Sequence, residues 1–264
     1  MRLEYYVVDA FAERRFGGNP AGVCVLDEWI DDAVMQAVAA ENRLSETAFT
    51  VRQPDGGYEL RWFTPTCEVD LCGHATFGAA YALFGFHEQE AGRIDFRATM
   101  KGYELSCERD ADMVRMEFPR IVPVPFRCGD DLGAALGVEP AHVLATDRDL
   151  VCVFDDEDAV RGMRPDFGLV AGLAHGLSVY VTAPAADYDY VARAFWPKIG
   201  IDEDPVCGSM QSALVPYWSQ RLGRSALVCF EPSEREGTVW CRDLADAVSI
   251  SGHGRLYLRG EIEV

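Results

Sequence analysis

Two short segments of the sequence each place a thiol beside a glycine at the start of a predicted helix. The first reads Leu71-Cys72-Gly73-His74-Ala75 and the second reads Pro205-Val206-Cys207-Gly208-Ser209. Glycine lets a ligand approach the backbone closely, and the unpaired N–H groups of a helix start attract anions. The pattern therefore predicts two carboxylate-binding helix starts. At the second, the carboxylate of Asp204 and the thiol of Cys207 lie at its mouth.

A third candidate, Glu46, stands at the head of the strand-like segment 44–51. Two interpretations stay open from the residues alone. An exposed carboxylate at a strand end is ordinary, whereas a partly desolvated one has a raised pKa and suits proton transfer. His74 can likewise be a capping or core histidine or a site residue. Asp204 can cap a helix ahead of Pro205 as well as face a ligand.

Composition limits the classes of protein and partner. The 264 residues include 43 acidic and 24 basic side chains, and the net charge of −19 disfavours nucleic acid and anionic membranes as partners. Nine cysteines without a signal-peptide pattern or a membrane-length apolar run predict a cytoplasmic protein with reduced thiols. The common metal, nucleotide and hydrolase motifs are absent, so these classes of site lack their usual sequence support.

The elements that must position these residues alternate between strands and a few helices, which predicts an α+β fold. A helix capped by Asp31 and Asp32, and a second helix from Cys72 to about Phe84, separate the first group of strands. Prolines at 119, 123 and 125 mark a domain boundary. The second half repeats the outline, with an aromatic loop at 195–197, a helix beginning at Cys207 and a pocket-wall loop at 231–237. This repetition resembles a duplication.

Five segments together resemble the PhzF-like family of phenazine-biosynthesis proteins, and their order and spacing match from the first strand to the C-terminus. They are FGGNPAGV at 16–23, LSETAF at 44–49, RWFTP at 61–65, LCGHAT at 71–76 and GIDEDPVCGS at 200–209.

The resemblance implies the fold of diaminopimelate epimerase, with two similar domains that each roll a mixed β-sheet around a central helix. The domains are expected at 1–118, joined by a C-terminal strand at 255–264, and at 119–254. The resemblance also implies an active site in the cleft between the domains, a homodimer, and no metal or organic cofactor.

The resemblance further implies an isomerase that moves a proton on a small carboxylate substrate, with Glu46 as the general acid/base. His74 and Asp204 join Glu46 as catalytic residues, and Ser209 orients the substrate with them. The positions implied to bind the substrate, partly through backbone N–H groups that hold its carboxylate, are Gly73, Gly208, Ser209, Cys72 and Cys207.

Two other functions stay open at this point. Racemases and epimerases of this fold use two facing cysteines as bases, and Cys72 and Cys207 occupy the corresponding places. A thiolate at a helix N-terminus has a lowered pKa and is reactive. Against this, His74 stands where the epimerases have asparagine, and Glu46 lies in an intact Ser-Glu-Thr setting. A carboxylate-binding protein without catalysis is the third interpretation.

Overall fold

Eighteen β-strands and six α-helices form the α+β fold of the computed structural model, which describes all residues from Met1 to Val264. The strands are β1 (Arg2–Ala10), β2 (Asn19–Leu26), β3 (Glu46–Arg52), β4 (Tyr58–Phe63), β5 (Glu68–Val69), β6 (Arg93–Ala98), β7 (Glu104–Asp110), β8 (Met113–Pro119), β9 (Val124–Pro125), β10 (His142–Ala145), β11 (Leu150–Val153), β12 (Val179–Pro184), β13 (Tyr190–Trp196), β14 (Ile201–Asp204), β15 (Ala226–Glu231), β16 (Gly237–Asp243), β17 (Ala247–His253) and β18 (Arg255–Glu263). The helices are α1 (Asp32–Asn42), α2 (Gly73–Phe86), α3 (Leu132–Leu136), α4 (Glu157–Arg161), α5 (Phe167–Gly172) and α6 (Gln211–Leu222), with a 3-10 turn at Pro197–Ile199.

The chain divides into two compact units. Unit 1 comprises Met1–Glu117 and Ser251–Val264, and unit 2 comprises Phe118–Ile250. The C-terminal strand belongs to unit 1 because β18 pairs antiparallel with β1, which places Glu263 opposite Arg2.

Unit 1 is built on a mixed sheet in which antiparallel and parallel pairings alternate. From β1 to β2 the pairing is antiparallel, from β2 to β3 parallel, from β3 to β4 antiparallel, from β4 to β6 parallel, and from β6 to β7 antiparallel. Each parallel pair needs a crossover connection, which α1 and α2 supply. The short β5 pairs with β4 immediately before α2.

Unit 2 repeats this order of pairings with different residues. From β10 to β11 the pairing is antiparallel, from β11 to β12 parallel, from β12 to β13 antiparallel, from β13 to β15 parallel, and from β15 to β16 antiparallel. The short β14 pairs with β13 ahead of α6, as β5 does with β4 ahead of α2. The shared order supports the duplication that the sequence suggests, and α6 corresponds to α2.

Both corresponding helices are buried along most of their length. Helix α2 contacts β1, β2, β3 and β7, and its apolar residues leave no solvent-facing stripe. Gly78 is needed on α2 because an added Cβ would lie 3.2 Å from the Cβ of Ala21. In α6, Pro216 has no N–H to donate to the carbonyl oxygen of Ser212, four residues earlier. That oxygen instead accepts the N–H of Ile121 at 2.9 Å.

No helix in the structure combines the length and the apolar character that crossing a bilayer requires.

Two of the predicted loops are strands. Within the predicted turn at 16–22, residues from Asn19 onward belong to β2, where Gly22 lies so close to Tyr5 that an added Cβ would be 2.5 Å from its hydroxyl. The predicted aromatic loop at 195–197 begins as the end of β13, whose seven residues are all buried. Strands buried on both faces show no polar alternation, which explains why β13 was missed.

Candidate functional site

Three of the predicted site residues of unit 1 form one cluster. Glu46 is the first residue of β3 and lies opposite Ala21 of the parallel strand β2. Cys72 is the N-cap of α2 and has an extended backbone, and His74 lies in the first turn of that helix. The ends of a strand and a helix therefore bring a carboxylate, an imidazole and a thiol together.

The imidazole of His74 lies between the other two groups. Its Nε2 is 3.2 Å from Oε2 of Glu46, and its Nδ1 is 3.5 Å from Sγ of Cys72. Each of the three residues is 8% exposed. The contact between Glu46 and His74 is close but poorly aligned, so that neither Oε2 nor Nε2 makes a well-directed hydrogen bond. Both atoms can therefore form one with a bound molecule.

The cluster can pass a proton between the carboxylate and the thiol, because a different ring nitrogen faces each partner. One donor atom from each residue also lies within 4.8 Å of the others, close enough for a metal ion to be considered. Since Nε2 faces the carboxylate and Nδ1 faces the thiol, the arrangement suits proton transfer.

The start of α2 is suited to an anion. The N-cap Cys72 makes no side-chain hydrogen bond to the helix start, and Gly73 at the first helical position is half-buried. The Cys72 carbonyl accepts both the N–H of Thr76 at 3.1 Å and its hydroxyl at 2.6 Å, which fixes this end of the helix. A helix N-terminus carries a partial positive charge, and no acidic residue lies in this first turn to offset it.

The predicted site residues of unit 2 lie on one tight segment, but the helix begins later than predicted. Helix α6 starts at Gln211, and the preceding residues Gly208–Met210 form a turn. In it, the N–H of Gln211 donates to the carbonyl of Gly208, and that of Ser212 to the carbonyl of Ser209. The prediction of a helix start at Cys207 was therefore wrong by four residues. These i-to-i+3 bonds tighten the entry, as 3-10 turns often do at helix N-termini.

The environment of Cys207 favours the neutral thiol. Its side chain is fully enclosed, and burial raises its pKa well above the ordinary value. The negative charges of Asp204 and Glu231 raise this pKa further, outweighing hydrogen bonds from Ser209 and from the Met210 N–H. Sγ lies 3.4 Å from Oγ of Ser209. Cys207 is thus a poor base, whereas Asp204 and Ser209 are half-buried and reachable by a ligand.

The group that holds this turn was not predicted from the sequence. Glu231, placed in a pocket-wall loop, is the last residue of β15 and is 1% exposed. Its Oε2 accepts the N–H of Cys207 at 2.7 Å, and its Oε1 accepts from Nε2 of Gln211 at 3.1 Å. Oε1 of Gln211 accepts from the hydroxyl of Tyr190 at 2.6 Å. The sequence did contain a sign that Glu231 is buried. Every second residue of β15 faces the interior, and Glu231 follows Leu227 and Cys229 on that buried face.

The strand before the turn is held by an ion pair between a buried arginine and a half-buried glutamate. The guanidinium of Arg193 in β13 binds the carboxylate of Glu203 in β14 through two hydrogen bonds of 2.7 and 2.8 Å. Arg193 also donates to the carbonyl oxygens of Val160 and Met163. These contacts fix β14, and therefore Asp204 at its end.

Comparisons with known proteins identify the family. A family model described as phenazine biosynthesis-like protein matches residues 8–260. An uncharacterized isomerase of Pseudomonas aeruginosa is 45% identical over 264 residues that cover the whole of both chains. The crystal structure of a phenazine biosynthesis protein of the PhzF family from Enterococcus faecalis has 41% identity and a TM-score of 0.96, with both chains fully covered. These findings confirm the resemblance read from the five sequence segments.

The fold extends to more distant enzymes. A hydroxyproline epimerase from Agrobacterium vitis, solved with trans-4-hydroxy-L-proline bound, has a TM-score of 0.58 at 10% identity, covering 99% of this chain and 92% of that one. At that identity the likeness concerns the fold alone, and it supports the predicted epimerase-like fold class. The chain therefore belongs to the phenazine biosynthesis-like (PhzF) family and is an isomerase of that family.

Proposed function

We propose that this isomerase catalyses a cofactor-independent proton transfer between two carbons of a small carboxylate substrate, with Glu46 as the general acid/base. The observation that carries the proposal is the contact of 3.2 Å between Oε2 of Glu46 and Nε2 of His74, two largely buried atoms that have no well-directed hydrogen-bond partner. A base that takes a proton from carbon has to be close to the substrate and largely shielded from water.

The chemistry follows from the positions of these side chains. The Glu46 carboxylate removes a proton from one carbon, and the electron pair of that C–H bond moves into the adjacent π system. Protonated Glu46 then returns a proton to a second carbon, so that the product is an isomer of the substrate. His74 lies between the carboxylate and the thiol of Cys72, with Nε2 3.2 Å from Oε2 of Glu46 and Nδ1 3.5 Å from Sγ of Cys72.

The substrate carboxylate needs a separate anion-binding element. We propose that the backbone N–H groups of Gly73, Gly208 and Ser209 bind it, and that Asp204 and Ser209 orient the substrate. Gly73 is half-buried at the uncapped start of α2, and Ser209 is half-buried on the turn ahead of α6. Fixed N–H dipoles stabilise negative charge that develops during the reaction. That both elements act on one substrate molecule rests on family membership.

The structure gives less support to a two-thiol racemase or epimerase. Such an enzyme needs a thiolate on each side, but burial and nearby acids raise the pKa of Cys207 well above its ordinary value. Cys72 lies 3.5 Å from His74 and has a partner that can accept its proton, whereas Cys207 lies beside two carboxyl groups. We therefore place proton transfer on Glu46.

Deuterium incorporation from D₂O tests the proposal. The panel contains a dihydro-hydroxyanthranilate, diaminopimelate, proline, hydroxyproline and other amino acids. We expect exchange with wild type on a carboxylate of this panel, and a loss of about 10²–10⁴-fold in Glu46→Gln, the range that general acid–base catalysis supplies. Glu104→Gln, which changes an exposed acid of the same unit, is the matched control. Binding without exchange across the panel favours the non-catalytic interpretation.

A further inference from the structure

One buried carboxyl group of unit 2 has no role in the function proposed above. Glu231 is 1% exposed, and its two hydrogen-bond partners, Cys207 and Gln211, are 2% and 0% exposed. Transfer of a carboxyl group to such an environment is unfavourable unless its hydrogen bonds are satisfied. Here both oxygens accept one bond each, at 2.7 and 3.1 Å.

The shorter bond is donated by the backbone N–H of Cys207. This residue directly precedes Gly208 and Ser209, whose N–H groups are proposed to bind the substrate carboxylate. Cys207 is the last residue before the turn Gly208–Met210, so the direction of its peptide N–H fixes how the turn begins. The carboxyl group reaches it from β15, which lies 24 positions further along the sequence. The bond therefore joins the turn to the sheet of the unit.

The second bond fixes the carboxyl group itself. Gln211 is the first residue of α6, and its amide nitrogen donates to Oε1 of Glu231 while its amide oxygen accepts from Tyr190. Tyr190 is fully buried and stacks on Trp218 with ring centroids 5.5 Å apart. The network thus connects the turn, α6 and the two strands β13 and β15, and it leaves the Glu231 side chain one position.

We propose that Glu231 is a positioning residue that sets the carboxylate affinity of the turn at Gly208 and Ser209 by holding the N–H of Cys207. The inference rests on the proposed role of that turn in binding the substrate carboxylate. Glu231 does not touch the substrate. Its effect is on the geometry of the donors that do, and donor geometry decides how much a preorganised anion site contributes.

Substitutions separate this role from simple packing. Glu231→Asp is one methylene group shorter and cannot reach both partners. Glu231→Gln can preserve the network with its donors reversed. The new amide oxygen accepts from Cys207, the new amide nitrogen donates to a flipped Gln211, and Tyr190 turns its proton toward Sγ of Cys241, 3.8 Å away. Glu231→Gln is therefore the conservative rescue, and Glu231→Asp is the disruptive change.

The experiment measures binding of two matched probes, 2-aminobenzoate and its neutral amide 2-aminobenzamide, by calorimetric titration of the full chain. We expect wild type to bind the carboxylate more tightly than the amide. Glu231→Asp should lose roughly tenfold in carboxylate affinity, the effect of one misplaced charge-assisted hydrogen bond, and keep its amide affinity. Glu231→Gln should stay within about threefold of wild type for both probes.

The control is Asp189→Asn, because the largely buried Asp189 side chain also accepts a backbone N–H, that of Val228, but away from the turn. It should change neither affinity. Hydrogen exchange of the wild-type backbone provides a second test that needs no variant. The proposal requires the Cys207 N–H to exchange slowly, because it is held by Glu231. Fast exchange of that N–H overturns the proposal even when Glu231→Asp does not fold.

Three further results would also overturn it. They are the absence of a carboxylate preference in wild type, equal losses for both probes in folded Glu231→Asp, and a Glu231→Gln variant as impaired as Glu231→Asp. These results are independent of Glu46, because probe binding requires no proton transfer. A failure of the proposed acid/base role, seen as unchanged exchange in Glu46→Gln, leaves the probe measurement as a separate test.

Discussion

The two Cys-Gly segments look alike in sequence and occupy corresponding places ahead of α2 and α6, yet their surroundings differ. Cys72 is the N-cap of its helix and touches the imidazole of His74, which in turn faces Glu46. Cys207 lies four residues before its helix, is fully enclosed, and gives its N–H to Glu231. The first segment is equipped to move a proton, and the second is equipped to hold a backbone in place.

This difference shows that corresponding positions of a duplicated fold can have different neighbours. The order of strand pairings is the same in both units, so the helix starts are equivalent positions. The groups beside them are not equivalent. A histidine and a strand-end glutamate accompany Cys72, whereas two acidic residues and a glutamine accompany Cys207. Burial, reinforced by the charges of Asp204 and Glu231, raises the pKa of the Cys207 thiol.

The largest stability effect should come from the ion pair that fixes the second segment. Arg193→Ala leaves the carboxylate of Glu203 without its partner. The loss of one member of a fully buried pair costs about 3–5 kcal/mol in the free energy of unfolding, and we expect about 2–3 kcal/mol here because the Glu203 side chain is 20% exposed. Urea denaturation measures the change. Arg97→Ala is the control, because its pair with Glu104 is more than half exposed on both sides, and it should cost less than about 1 kcal/mol. Equal effects would mean that the second segment is not rigidly held.

The titration of Glu231 should appear in the stability of the protein. Burial raises its pKa well above 4.5 in the fold, so its stabilising contribution is complete below pH 4.5 and is lost as the pH rises toward the folded value. Wild type should lose up to about 1.4 kcal/mol per pH unit in that window relative to Glu231→Gln. The charged and titratable groups that face Glu231 are Asp204, Glu203, Cys207, Cys229, Cys241 and Tyr190.

Urea denaturation of both proteins at a series of pH values measures this difference. Parallel stability curves for wild type and Glu231→Gln would show that the carboxyl group ionises normally in the fold. The described effect of the acidic residues on the pKa of Cys207 would then be wrong. The proposed difference between the surroundings of Cys72 and Cys207 would be smaller.

The smallest effect is a difference in thiol reactivity. Cys67 is exposed and should be alkylated first by iodoacetamide in the native protein. Cys72, beside His74, should react faster than Cys207 by roughly a factor of ten or more, because the thiolate is the nucleophile and burial disfavours it at Cys207. Peptide mapping by mass spectrometry gives the order. Alkylation of Cys207 at the rate of Cys72 would remove the argument against a two-thiol mechanism.

Much of the unit 1 site could be predicted from the sequence because its signals are local. The strand predicted at 44–51 begins at Glu46, and the helix predicted from Cys72 begins at Gly73, so both short-range patterns came within two residues of the observed starts. The contact between Glu46 and His74 could not be predicted from these patterns, because it depends on how β3 packs against α2. The family resemblance, not the spacing, brought these residues together.

Less of unit 2 could be predicted because its decisive contacts are long-range. Arg193 and Glu203 pair across two strands, one of which is buried on both faces and reads as a loop. Glu231 reaches Cys207 from a later strand, and the turn at Gly208–Met210 delays the helix. The homodimer and the cytoplasmic location implied by the sequence stay predictions.

The most direct test of the account compares deuterium incorporation in wild type, Glu46→Gln and Cys207→Ala on the same carboxylate substrates. The account predicts that Glu46→Gln loses about 10²–10⁴-fold in the rate of exchange, while Cys207→Ala keeps most of it. Exchange that survives in Glu46→Gln and disappears in Cys207→Ala would contradict the account and make this protein a two-thiol racemase or epimerase.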